Sequence, residues 1–257
     1  MIREFKAGQL TVKIYPERRA MGNAAATMIS ARLRHLLEQQ EEVNIIFAAA
    51  PSQDEMLAAL VKEKGIEWSR VNAFHMDEYT GLPADAPQGF GNFLKQRIFG
   101  LLPFRSVNYI DGSGSEAACV KYASLLQTHP ADIVCMGIGE NGHLAFNDPP
   151  VADFNDPLQV KIVALDEVCR QQQVNDGCFA TLEAVPTHAV TLTIPTLLQA
   201  PAVFCVVPGT RKAMAVYDTI HQNIQQQYPS TILRNHSGAV LFLDAQSSDQ
   251  LSVQKEG

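Results

Sequence analysis

A Rossmann-like α/β fold, an open and mostly parallel sheet with helices on both faces, is predicted by three observations. Short apolar runs of strand length recur along the chain. Helical patterns separate most of them, the order expected of a parallel sheet built from crossover units. Apolar residues make up 46% of the 257 and charged residues 18%, the composition of a globular protein that buries a large core. With no internal repeat or low-complexity segment, residues 1–257 read as a single domain.

The elements follow in order. Arg18 to Gln40 carries a long amphipathic helix pattern. Val43 to Ala50 (VNIIFAAA) is short, apolar and bounded by polar residues, as a buried strand should be. Ser52 to Lys64 reads as a helix, with Ser52 as N-cap and Glu55 completing a capping box. Val71 to Met76 is the next strand and Phe90 to Phe99 the next helix. Val107 to Ile110, Asp132 to Met136, Ala202 to Val207 and Ala239 to Leu243 are further strands. Helices are predicted at Glu116 to Gln127 and Lys212 to Gln225, with Gln222 to Gln227 a solvated helix end. Val151 to Pro157 and Val174 to Pro186 read as irregular, lid-like segments, and the residues from Ser247 onward as a frayed end.

The formal net charge of -7 argues against a nucleic-acid partner, because phosphate backbones attract Lys and Arg. No apolar run approaches a membrane span and Met1 to Tyr15 has no secretory core, so no membrane association is expected. Five scattered cysteines without a C-x-x-C pair argue against a disulfide framework and for a reducing, cytoplasmic location. Cys135 and Cys205, inside apolar runs, read as small core residues.

Ligands of open parallel sheets bind at the carboxyl ends of the strands, so the loops after those strands carry the chemistry. Met136 to Pro150 (MGIGENGHLAFNDPP) runs from a strand into Gly137, Gly139 and Gly142 and then His143. Glycines allow a tight turn and close approach to a ligand. Asp148, five residues on, is placed to orient His143. The G-x-G-x-x-G spacing resembles a dinucleotide loop, but the following His-Leu-Ala-Phe-Asn-Asp-Pro-Pro cannot continue as a long helix, which excludes a nicotinamide site. In FHMDEYTGLP, Asp77 and Glu78 follow a strand and offer one general base and one structural partner, or a plain solvated turn. Ser52 opens a helix whose free N–H groups suit an anion. In VVPGTRKA, Gly209 and Thr210 start a helix with Arg211 and Lys212 in its first turn. Cations there oppose the helix dipole unless an anion binds, and a phosphate suits Lys212. His75, Asp77 and His143 lack the spacing of a zinc site, so no metal is expected.

Taken together, MDEYTGLP and GIGENGHLAFNDP resemble the glucosamine-6-phosphate deaminase/isomerase family, related to the 6-phosphogluconolactonases, and the resemblance covers most of the chain. It implies a single Rossmann-like domain, a sugar-phosphate substrate and a homo-oligomer of the kind common among such enzymes. It implies an enzyme that isomerises glucosamine- or galactosamine-6-phosphate and hydrolyses a C–N bond, releasing ketohexose 6-phosphate and ammonia. The alternatives are a phosphogluconolactonase-type hydrolase with His143 as base, or a non-catalytic sugar-phosphate sensor. By the resemblance, Asp77 moves a proton between C2 and C1 and His143 assists ring opening. Asn141 matches an Asp or Asn position, and Asp148 takes the place of a Glu that orients His143. Lys212 binds phosphate, with Ser52, Gly139, Gly142, Gly209, Thr210 and Arg170 around the substrate. No cofactor is implied. The chain departs from the family in its Ala48-Ala49-Ala50-Pro51-Ser52-Gln53 loop, in Asp148, and in a segment after Arg170 that lacks a second Arg.

Overall fold

The computed structural model describes residues 1–252. The chain opens with a hairpin, β1 (Arg3–Ala7) and β2 (Leu10–Tyr15), followed by helix α1 (Arg18–Leu37) and strand β3 (Val43–Phe47). Next come α2 (Asp54–Leu60), β4 (Val71–His75), β5 (Asp77–Tyr79), α3 (Phe90–Leu94), β6 (Ser106–Asn108) and α4 (Glu116–Thr128). The second half holds β7 (Ile133–Met136), β8 (Val160–Ala164), α5 (Glu167–Asn175), β9 (His188–Leu192) and α6 (Ile194–Leu198). It ends with β10 (Ala202–Val207), α7 (Ala213–His221) and β11 (Ala239–Asp244).

Eight strands form the main sheet in the order β1-β2-β11-β10-β7-β3-β4-β6. All neighbours are parallel except the β1–β2 hairpin. The central strands are buried on both faces, which is why they read as largely apolar runs, with Asn44, Asn72 and His75 the buried polar exceptions in β3 and β4. Successive side chains serve opposite cores. Ile45 and Phe47 pack with Met21, Ala25 and Ile29 of α1, while Ile46 packs with Tyr122 and Leu126 of α4 and Leu197 of α6. From β3 the chain steps out through β4 to β6, then returns to place β7 on the other side of β3. The strand order therefore reverses between β3 and β7, and the crevice at their carboxyl ends is the natural ligand site.

A second, antiparallel sheet, β5-β9-β8, lies outside the sequence prediction. The sequence reading also left out the β1–β2 hairpin and α5, which ends at Asn175, just inside the Val174 to Pro186 stretch read as irregular. The predicted capping box does not form. Pro51–Gln53 is a turn of 3-10 helix, no side chain caps α2, and Glu55 instead accepts two bonds from Arg18 at 2.8 and 3.0 Å. The frayed end predicted from Ser247 is likewise corrected. Ser247 and Ser248 are buried and bonded to Asp244, and a 3-10 turn spans Asp249–Ser252; residues 253–257 lie outside the described part. Among the described residues no helix is long and apolar enough to cross a membrane. Cys135 and Cys205 are buried in the core, as expected.

Candidate active site

Four loops leave the carboxyl ends of β3, β4, β7 and β10 and meet over the crevice, enclosing a cleft of about 490 Å³. Ser52, Asp77, Gly139, His143 and Lys212 line it together, although the first and the last are 160 positions apart in the chain.

Asp77 enters from the loop after β4, where β5 pairs with β9 and sets Asp77 opposite Thr191. Its carboxylate is buried and Oδ1 has no hydrogen-bond partner. Burial, reinforced by the neighbouring Glu78 carboxylate, raises its pKa well above the ordinary value. A carboxylate so poorly solvated gains by taking a proton, as a general base must. Glu78 plays the structural part. It accepts backbone N–H bonds from Tyr79, Phe90 and Gly91 at 2.8–2.9 Å and so ties β5 to the start of α3.

The loop after β7 folds back on itself, with Gly139 N–H bonded to the His143 carbonyl and Gly142, at φ +84°, donating to the Gly139 carbonyl. The His143 ring lies against Gly139, where a Cβ would overlap the imidazole. Its Nδ1 is 2.8 Å from Asn141 Oδ1 and 2.9 Å from Asp148 Oδ1, and Asn141 Nδ2 donates to the same Asp148 oxygen at 3.0 Å. Both neighbours of Nδ1 are acceptors, so the network assigns the proton to Nδ1 and leaves Nε2 for proton transfer. Burial alone would push the Asp148 carboxyl up. Attraction to His143 and the bonds from His143 and Asn141 outweigh it and hold the carboxyl below its ordinary range. The shorter Asp side chain thus reaches His143 directly. His75 is not a member of the site. Its Nδ1 meets the Asp77 carbonyl at 2.9 Å and its Nε2 accepts from Ile110 N–H at 2.8 Å, which uses both nitrogens inside the core.

The anion end is built from β3 and β10. Gly209, at φ +90°, donates its N–H to both oxygens of Asp244 at 3.1 Å, and Thr210–Lys212 forms a 3-10 turn. Ser52, Gly209, Thr210 and Lys212 line an adjoining recess of about 730 Å³. Lys212 is buried, and that burial lowers its pKa against the pull of Asp176 and Glu140. A buried ammonium at the foot of a cleft is stabilised by an anion. Arg211 also lines this recess, and its guanidinium donates to the Asn175 carbonyl at 2.6 Å.

Arg170 corrects the sequence reading. Its guanidinium donates to the Leu182 and Val185 carbonyls at 2.7 and 3.0 Å, tying α5 to the following loop rather than lining the cleft. Gly142 shapes the β7 loop and is likewise absent from the lining. In their place α5 contributes Gln172 and Gln173, which are buried and line the cleft, and Gln172 Oε1 accepts the Glu140 N–H at 2.8 Å. Gln53 donates from Nε2 to Ser52 Oγ and the Val206 carbonyl. None of the three glutamines was singled out from sequence. The available signal was an unbroken Gln171-Gln172-Gln173 run where the resemblance calls for a cation.

The family model described as glucosamine-6-phosphate isomerases/6-phosphogluconolactonase matches residues 16–242. The chain belongs to this family. A member from Bacillus cereus (strain B4264), glucosamine-6-phosphate deaminase, is 32% identical over 217 residues, covering 84% of this chain and 80% of its own. The deaminase of an Exiguobacterium species is 33% identical over 202 residues, covering 77% and 78%. Among solved members of the glucosamine-6-phosphate isomerase/6-phosphogluconolactonase fold, a monomeric glucosamine-6-phosphate deaminase superposes with a TM-score of 0.84 at 23% identity, covering 93% of this chain and 99% of that one. A 6-phosphogluconolactonase from Thermotoga maritima gives 0.74 at 19% identity, covering 91% and 99%. Those two likenesses establish the fold shared across the family.

Proposed function

We propose that this protein isomerises and deaminates a hexosamine 6-phosphate, giving a ketohexose 6-phosphate and ammonia. The observation that carries the reading is the arrangement of a desolvated carboxylate, Asp77, and an imidazole, His143, on one cleft with a buried ammonium, Lys212, at its other end. The family relatives named as deaminases, at 32–33% identity over most of their length, support it over the lactonase alternative.

The chemistry follows from the residues. Lys212, with Ser52 and Thr210 beside it, holds the phosphate in the recess. The Asn141–Asp148 pair keeps the His143 proton on Nδ1, so Nε2 shuttles a proton to and from the ring oxygen and the sugar opens. Asp77 removes the C2 proton and an enolamine forms. Return of that proton to C1 gives a ketose imine, and water releases ammonia from it. Isomerisation is thus the defining step, and hydrolysis of the C–N bond follows from it. Each positioned acid or base contributes roughly a hundredfold to ten-thousandfold. No step moves electrons to an external acceptor, so the proposal needs no cofactor.

Ammonia release from glucosamine-6-phosphate and from galactosamine-6-phosphate, with hydrolysis of 6-phosphogluconolactone run in parallel, tests the reading. Ammonia from either sugar supports it and chooses the epimer. Lactone hydrolysis without ammonia overturns it in favour of a hydrolase, and inertness toward all three in favour of a sensor.

A further inference from the structure

One group beside the proposed acid–base pair has no part in this chemistry. Cys169, near the start of α5, is buried against the loop that carries His143. Among the described residues, a ring nitrogen of His143, a carboxylate oxygen of Asp148 and the Cys169 Sγ all lie within 4.8 Å of one another, and all three residues are buried. The simplest account of Cys169 is a small side chain filling the core. The Asp148 carboxylate argues for more. Its Oδ1 is bonded by His143 and Asn141, whereas its Oδ2 is buried with no nitrogen or oxygen donor, only the Cys169 thiol beside the carboxylate. An interior carboxylate oxygen with no donor stronger than a thiol is costly, and a cation in contact with it removes the cost.

Imidazole nitrogen, carboxylate oxygen and thiolate sulfur together are the donor set of a zinc-class cation. Tetrahedral zinc, with bonds of about 2.0–2.3 Å, sets its ligand atoms roughly 3.3–3.8 Å apart. The three atoms, all within 4.8 Å of one another, already stand close to that spacing. Three protein ligands leave a fourth position, and His143 lines the cleft from which a water or substrate oxygen would fill it.

We propose that His143, Asp148 and Cys169 form an inhibitory binding site for a soft divalent cation of the zinc class. Binding forms metal–sulfur, metal–nitrogen and metal–oxygen bonds. The thiol proton and the His143 Nδ1 proton pass to solvent, and no electron is transferred. With a cation on Nδ1, the carboxylate support of the imidazolium is lost and Nε2 ceases to be an effective base. This inhibitory consequence rests on the role proposed for His143, whereas the binding does not.

Cadmium, which shares the donor preference and shows a thiolate-to-metal charge-transfer band, is the probe. Chelator-treated protein titrated with Cd²⁺ is expected to develop that band with one equivalent, and Zn²⁺ to compete for it. Cys169→Ser should abolish the band and weaken Zn²⁺ binding at least about tenfold by calorimetry, while Cys178→Ser, at the half-buried cysteine, changes neither. Asp148→Asn, which keeps the thiol, should also weaken the cation, and thermal unfolding in chelator confirms that each variant is folded. Absence of the band, or its survival in Cys169→Ser, overturns the site. A titrating band with undiminished ammonia release keeps the site and counts against the role of His143.

Discussion

At the scale of single residues, the site is made of charges held away from water. Asp77 is the sharpest case. Its folded-state pKa lies above the unfolded value of 3.8, with burial as the main cause. Such a group adds stability that is fully present below the unfolded pKa and is lost as pH rises through the folded pKa. At pH 7 the wild type therefore carries a cost that Asp77→Asn removes. We expect the variant to lose turnover by roughly a hundredfold to ten-thousandfold. Its unfolding midpoint at pH 7 should equal or exceed that of the wild type, with the difference shrinking toward pH 4. Calorimetric scans at the two pH values check this, and a midpoint well below wild type at pH 7 would contradict a desolvated carboxylate. Lys212 is the counterpart at the anion end. Lys212→Met keeps the buried stem and discards the ammonium, so KM for the sugar phosphate should rise at least about tenfold with little loss of stability. Initial-rate kinetics and thermal unfolding read the two effects separately.

At the scale of elements, two close approaches need glycine for want of space rather than for backbone freedom. Gly139 faces the His143 ring, and a Cβ there would displace the imidazole from Asn141 and Asp148. Gly139→Ala should cost turnover on the order of a hundredfold, as a misplacement of about 1 Å does, while leaving far-ultraviolet circular dichroism unchanged. Gly22 lies where α1 crosses α2, and its Cβ would come within 2.6 Å of Glu55 Cβ. Gly22→Ala should destabilise the fold by about 1–3 kcal/mol in urea titration, with turnover of the folded fraction retained. The two variants separate a contact that positions the site from one that packs the scaffold.

At the scale of the whole molecule, acid sensitivity is expected from the core. His75 is buried beneath the site, and that burial lowers its pKa from 6.5 to about 4 against the bond to the Asp77 carbonyl. A depressed histidine stabilises the fold fully above the unfolded pKa, and its contribution falls between pH 6.5 and about 4 as the unfolded chain takes the proton first. Between pH 7 and 5 that amounts to about 2 kcal/mol. In His75→Gln this slope is absent, so the destabilisation caused by the substitution should shrink by about that amount over the same interval, read by urea unfolding at both pH values. A constant difference would mean that His75 is protonated alike in both states.

What the sequence determined by itself was the frame and the two chemical segments. Strands buried on both faces must be largely apolar, so β3, β4, β7, β10 and β11 were legible, as were α1 and α4. Asp77 was legible as a candidate because it follows a predicted strand end, and His143 and Asp148 because they share a loop bounded by glycine and proline. Half-exposed or very short strands leave no such mark. The β1–β2 hairpin mixes charge with apolar residues, and β5 is only three residues long, so the second sheet stayed hidden although it fixes Asp77 opposite Thr191. Tertiary structure alone decided which polar side chains face the cleft. It turned Gln172 and Gln173 inward while Arg170, two and three residues before them, was drawn to the Leu182 and Val185 carbonyls. It placed Cys169 beside Asp148, and it gave both nitrogens of His75 to the core. The reason is physical: local sequence sets periodicity and turn chemistry, whereas the partner of a buried polar atom is settled by whichever distant segments meet it when the sheet closes.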